Sequence, residues 1–199
     1  MSNETAILVP VDFSAFSRAA VERAIVLARA CEGRLRLIHA LHVPPVSLAY
    51  DANGPVWTEL RESERVKMEE FAREFEGCGV AIETVFVEKD PTRAIHGAAR
   101  APDVELIVMG SHGLHGLGRM LRGSVAERPL NHAPTPVITA CQRQSVAARP
   151  TASPCFGTDF SYTARHPACP ALEWARRLPA EVVTLHSSFC SAHLLAPSA

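Results

Sequence analysis

Val108 to Ser124 reads VMGSHGLHGLGRMLRGS, and its spacing decides the fold. An apolar run, Val104 to Met109, leads into it and reads as a buried strand. Gly110 and Gly113 follow at once. Gly123 and Ser124 come after nine more residues, and Val125-Ala126-Glu127 follows. Ser124 and Glu127 have capping-box spacing, so the sequence predicts a helix start there. Strand, glycine loop and helix N-terminus in that order make an anion site: glycine lets backbone approach a ligand, and the free N–H groups of the first helical turn point at negative charge. Gly110-x-x-Gly113 alone would be ordinary turn glycines. The full Gly-x2-Gly-x9-Gly-Ser pattern is far more specific. It is not a Walker A loop, because Ser124 stands where lysine belongs after Gly118-x4-Gly123. Gly113, Gly116 and Gly118 also miss the dinucleotide spacing.

This stretch resembles the nucleotide-binding motif of the universal stress protein family, in its ATP-binding subclass. Gly110, Gly113, Gly123 and Ser124 fit that family's pattern completely. Pro10-Val11-Asp12-Phe13-Ser14 is similar to the family's first strand end. The resemblance implies an open, five-stranded parallel α/β sheet with helices on both faces, Rossmann-like and of the adenine nucleotide alpha hydrolase type. It implies ATP as ligand, with magnesium or manganese as candidate companions of the phosphates. It places Pro10, Val11, Asp12 and Ala40 near adenine and ribose, and Met109, Gly110, Gly113, Gly123, Ser124 and Val125 around the phosphates. Arg119 and Arg122 could add charge there, or be solvated loop arginines. Lys89 stands where the family usually has glycine.

Composition sets limits around that reading. The chain has 199 residues and 47% hydrophobic content, enough for a sizeable core. A net charge of −1 gives no electrostatic footprint for nucleic acid. The first residues show no basic segment ahead of a long apolar one, and no apolar run approaches the ~18 residues of a span. The expectation is a cytoplasmic protein with neither membrane nor nucleic-acid partners. Six cysteines are scattered at 31, 78, 141, 155, 169 and 190, without a Cys-x-x-Cys pair. They read as reduced thiols and not as a zinc site.

The remaining elements can be read in order. Ala6 to Val11 is a strand. Asp12 is either a helix cap or, at a strand's carboxyl end, a ligand group. Residues 15 to 32 carry a helical stripe that Gly33 ends. Arg34 to Val43 is a second strand, with His39 and His42 on opposite faces; His39 reads as a satisfied structural histidine. Pro44 to Trp57 is a loop long enough for a flap. Thr58 to Glu76 is a charged helix with an imperfect stripe of Leu60, Val66, Met68 and Phe71, and Gly77 and Gly79 break it. Val80 to Val87 is a third strand, and Asp90 caps a helix through Ala101. Val137 to Cys141 is a fifth strand. Pro129 should kink or end the helix that Ser124 starts.

Residues 143 to 154 read as a linker between a domain over 1 to 142 and a partial repeat over 155 to 188, with a tail from 189 to 199. Asp12 and Asp159, Arg18 and Arg165, and His39 and His186 share one offset of 147 residues. Strand, helix and strand are expected over 156 to 158, 168 to 178 and 182 to 186, without a glycine loop. The resemblance implies pairing of copies, or of repeats, along the fifth strand.

The function expected is an ATP-binding regulatory module with little or no turnover and no assigned catalytic residue. The alternative is a slow ATP-hydrolysing or self-phosphorylating enzyme, with His112 and His115 near the phosphates but no base-and-orienter pair. No Gly-x-Ser-x-Gly elbow supports a serine hydrolase.

Overall fold

The computed structural model describes residues 5–42, 54–110, 134–140, 155–158, 173–174, 176–177 and 183–186. They fall into two compact units, Met1–Pro150 and Thr151–Ala199. In the first unit the chain order is β1 (Ala6–Pro10), α1 (Ala15–Ala30), β2 (Arg34–Ala40), α2 (Pro55–Arg73), β3 (Ile82–Val87), α3 (Pro91–Ala99), β4 (Val104–Gly110) and β5 (Val137–Ala140). The five strands form one parallel sheet in the order β3-β2-β1-β4-β5. This is the parallel α/β sheet that the sequence predicts.

Central burial explains the composition of the inner strands. Ala6, Ile7, Leu8 and Val9 are fully buried, as are Leu35 and Leu37 on β2. A strand covered on both faces needs apolar residues without alternation. One face packs Ala6, Leu8, Ile38 and Ile107 against Ala94 and Ala99 of α3. The other carries α1, whose Ala20, Val21, Ala24 and Ala28 are buried. The register between β1 and β4 slips near Glu105: Ala6 pairs with Val104, but Ile7 pairs with Leu106 and Leu8 with Ile107. That single extra residue puts both Val104 and Ile107 on the α3 side and so turns Gly110 towards α1.

Several boundaries differ from expectation for local reasons. Gly33 does not end α1 by its own conformation; the left-handed residue is Glu32, at φ +52°. Gly33 is needed because a Cβ there would stand 2.6 Å from the Thr5 carbonyl oxygen. α2 begins at Pro55, inside the expected loop, because proline suits the first helical turn. It ends at Arg73, before Gly77 and Gly79, both of which have positive φ. Of its expected stripe, Met68 and Phe71 are buried but Val66 is exposed. Arg61–Glu88 and Arg18–Glu74 ion pairs help hold this weakly apolar helix. Asp90 caps α3 as expected, accepting from the Arg93 N–H at 3.0 Å. β2 and β3 are shorter than expected, and Cys141 lies outside the described residues, as does the expected loop over 43–53.

In the second unit, β6 (Cys155–Thr158) and β7 (Val183–His186) form a parallel two-stranded sheet. Glu173, Trp174, Arg176 and Arg177 are helical. Trp174 is buried, with the Arg177 guanidinium over its ring. Among the described residues, no helix is long and apolar enough to cross a membrane.

Candidate functional site

The strand order places one point of the sheet apart. From β1 the chain moves outward through β2 to β3, then returns across β1 to β4 and β5. The connections therefore leave the carboxyl ends of β1 and β4 in opposite directions, and sheets of this type bind ligands at such a reversal. Pro10 ends β1, with Val11 and Asp12 immediately after it. Ala40 ends the neighbouring β2, and Met109 and Gly110 end β4. The sheet thus gathers six of the residues that the sequence singles out. Gly113, Arg119, Gly123, Ser124 and Val125 lie outside the described residues, as do His112, His115, Arg122 and Pro129.

Asp12 is held in a small polar knot. One carboxylate oxygen, Oδ1, accepts from the Ser14 N–H at 3.1 Å, from the Ser14 hydroxyl at 2.6 Å and from the Ser17 hydroxyl. Ser17 Oγ in turn accepts from the Asp12 N–H at 3.0 Å. Ser14 is the N-cap of α1, its side chain accepting from the Ser17 N–H. Asp12 therefore supports the cap by fixing Ser14 and Ser17, and its carboxylate is oriented at the strand end while doing so. Ser17 had no part in the sequence reading; its only signal there was a small polar residue in an otherwise apolar helix face.

Gly110 has a packing reason beside the one its motif suggests. A Cβ on it would stand 2.9 Å from the carbonyl carbon, carbonyl oxygen and Cβ of Phe16. The first turn of α1 lies directly on the end of β4, and only glycine leaves it room. This close packing brings the Asp12–Ser14 turn and the start of the glycine loop together.

Phe13 links the turn to α2. Its φ of +63° is uncommon and costly for an aromatic residue. Its ring lies 4.4 Å from the His39 ring and 5.7 Å from Phe71 of α2. His39 is indeed satisfied: Nδ1 is 2.8 Å from the Val11 carbonyl oxygen, and Nε2 is 3.3 Å from Glu64 Oε2. His42 is exposed beyond the strand end.

The amino ends of the strands carry a charge network. Asp103 receives Arg34 at 2.5 Å and Arg36 at 2.9 Å, and Arg36 also meets Glu83 at 3.0 Å. Burial pushes the Asp103 carboxyl up, but the Arg36 hydrogen bond, a backbone bond and the two arginine charges outweigh it and hold it below the ordinary value. This network fastens the sheet at the end away from the candidate site.

Comparison with known proteins agrees with the fold. A family model described as "Universal stress protein family" matches residues 5–140. Universal stress protein MJ0531 of Methanocaldococcus jannaschii is 34% identical over 134 residues, covering 66% of this chain and 79% of that protein. A universal stress protein of Mycolicibacterium smegmatis is 27% identical over 193 residues; the match covers 93% of this chain but only 64% of that protein's length. The solved structure of universal stress protein UspA from Lactobacillus plantarum superimposes with a TM-score of 0.57 at 25% identity, covering 70% of this chain and 99% of that one.

Proposed function

The chain belongs to the universal stress protein family, and on that premise we propose that its first unit is an ATP-binding regulatory module with little or no turnover. One observation carries the reading: Asp12 and Gly110 flank the reversal point of the sheet, and the complete glycine pattern continues from Gly110. In this reading Pro10, Val11, Asp12 and Ala40 face the base and ribose. Met109, Gly110, Gly113, Gly123, Ser124 and Val125 surround the phosphates, with Arg119 beside them, and magnesium or manganese accompanies the nucleotide. The protein acts in the cytoplasm. A homodimer forms along β5, whose outer edge pairs with no other strand among the described residues.

Calorimetry with ATP tests this. The wild type should bind, and Gly123→Val should lose most affinity by blocking backbone approach to the phosphates. Unchanged binding by Gly123→Val would refute the placement, and no binding by the wild type would refute the function. A phosphate-release assay should give turnover well below ~1 per second, the low end of ordinary enzymes.

We also propose that Thr151–Ala199 copies the β1–α1–β2 part of the first unit. Leu8 pairs with Arg36 and Cys155 with Val183, a separation of 28 residues in both parallel pairs. The 147-residue sequence offset carries Leu8 onto Cys155 and Arg36 onto Val183, so spacing and register support the same alignment.

A further inference from the structure

We propose that His39 is a positioning residue for the base-facing end of the site: by taking the Val11 carbonyl with its ring, it keeps the Ala40 N–H out of the β1–β2 ladder and available as a donor. This rests on the nucleotide reading above, which places Ala40 near the base.

The ladder geometry carries the inference. Backbone N–H groups along a parallel strand alternate between its two neighbours. On β2, the N–H of Arg34 donates to Thr5, before β1, while those of Leu35 and Leu41 donate to Ala81 and Val87, on the β3 side. Even-numbered N–H groups of β2 therefore face β1, and Ala40 is the last of them. The Val11 N–H still donates to the Ile38 carbonyl at 2.9 Å. The next bond in sequence would run from the Ala40 N–H to the Val11 carbonyl, and among the described residues it is not formed. That carbonyl instead meets His39 Nδ1 at 2.8 Å. A carbonyl only accepts, so Nδ1 carries the hydrogen.

The ring is well fixed for this task. Its side chain is 12% exposed. Phe13 lies over it at 4.4 Å and Phe86 of β3 lies 5.9 Å away. Glu64 Oε2 of α2 lies 3.3 Å from the second nitrogen, and the other oxygen of Glu64 meets Lys67 at 2.8 Å. The left-handed Phe13 lets the chain turn so that its ring can close on the imidazole. A carbonyl has two lone pairs, so His39 acts by fixing the direction in which the Val11 carbonyl leaves the strand and not by filling it; a ladder-paired Ala40 could not donate to a base as well, since it has one hydrogen.

Three variants of the full chain separate positioning from mere packing. His39→Asn places an amide near Nδ1 and keeps the Val11 bond. His39→Gln reaches towards Glu64 and gives up Val11. His39→Leu gives up both. The first readout needs no nucleotide: hydrogen exchange of the Ala40 amide by NMR. It should be unprotected in the wild type and in His39→Asn, and at least about 10-fold protected in His39→Leu and His39→Gln, where the ladder can close. The second is ATP affinity by calorimetry, which should weaken about 10-fold, one hydrogen bond's worth, in the same two variants and stay near wild type in His39→Asn. Protection of Ala40 in the wild type would overturn the inference. So would losses of affinity that follow the melting temperatures of the three variants and not the Val11 bond. Absence of ATP binding by the wild type would refute the nucleotide reading, while the exchange pattern would still decide what His39 does to Ala40.

Discussion

Two strand pairs among the described residues share one register spacing, and one of them belongs to a five-stranded sheet. β1 with β2 and β6 with β7 are both parallel and both pair residues 28 apart. In the first unit β4 adds to the outer side of β1 and β3 to the outer side of β2. In the second unit the described strands are these two alone. Even the histidine recurs: His186 pairs with Thr158 at the position that matches His39 beside Val11. What differs is all that arrives from far along the chain. β4 brings Gly110, and the glycine pattern that follows it has no second instance after Asp159. Among the described residues, the second strand pair thus repeats the histidine's register without a third strand beside it.

The sharpest way to break this comparison is to neutralise the two matching aspartates. Asp12→Asn keeps an oxygen for the Ser14 N–H but removes the charge, so α1 should stay capped while ATP affinity falls about 10- to 100-fold, the range for a hydrogen bond to a charged group. Asp159→Asn should leave affinity unchanged. Calorimetry on both variants decides it. Equal losses would mean that the second unit also takes part in binding.

Stability should respond next most strongly at the wall that only the first unit has. Gly110→Ala would place a methyl 2.9 Å from backbone atoms of Phe16, where neither partner can swing away. Overpacking of this kind costs about 1–3 kcal/mol. Thermal unfolding should show it as a lower midpoint even without nucleotide. An unchanged midpoint would mean that α1 lifts freely from β4, and the tight joint between the Asp12 turn and Gly110 would be lost as an explanation.

A smaller effect belongs to the charge network at the amino ends of the strands. Asp103 ties β4 to β2 across β1, and the positions matching Arg34 and Arg36 in the second unit are Glu181 and Val183. The Asp103 carboxyl is held below its ordinary value in the fold, so its contribution is complete above the unfolded value of about 4. It disappears as pH falls through the lower folded value. Asp103→Asn should therefore destabilise by about 1 kcal/mol at neutral pH and match the wild type in strong acid. Denaturant melts across that range measure the difference, and a gap that persists unchanged into strong acid would assign the loss to packing.

Much of this was legible in the sequence because it is local. The apolar runs of β1, β2 and β4, the Asp90 cap and the 147-residue offset need only neighbouring residues to be read. The start of α2 was missed because Pro55 favours a helix's first turn as readily as a loop, and Val66 was misplaced because α2 is held largely by polar contacts. The bulge near Glu105 was invisible, since pairing with β1 imposes it and no residue there signals it. The same holds for Gly110, whose motif suggests phosphate while its immediate neighbour is Phe16. The left-handed turn at Phe13 and the grip of His39 on Val11 likewise come from contacts with residues far along the chain.

The smallest expected effect is the most direct test of the comparison. A chain ending at Arg149 retains every residue assigned to the site, and the family match ends at 140, inside it. Two parallel strands do not persist alone in water, so the second unit needs packing beyond those two strands. Removing it should leave ATP affinity within about twofold, since no binding residue goes with it and twofold is well below the loss of one hydrogen bond. Stability or oligomeric state can still change, because the buried Trp174 and its neighbours would be gone. Calorimetry, with sedimentation as a check on assembly, separates these outcomes. Loss of ATP binding in a shortened chain that still melts cooperatively would mean that residues after Arg149 form part of the pocket, and the second strand pair would then be a working part of the site.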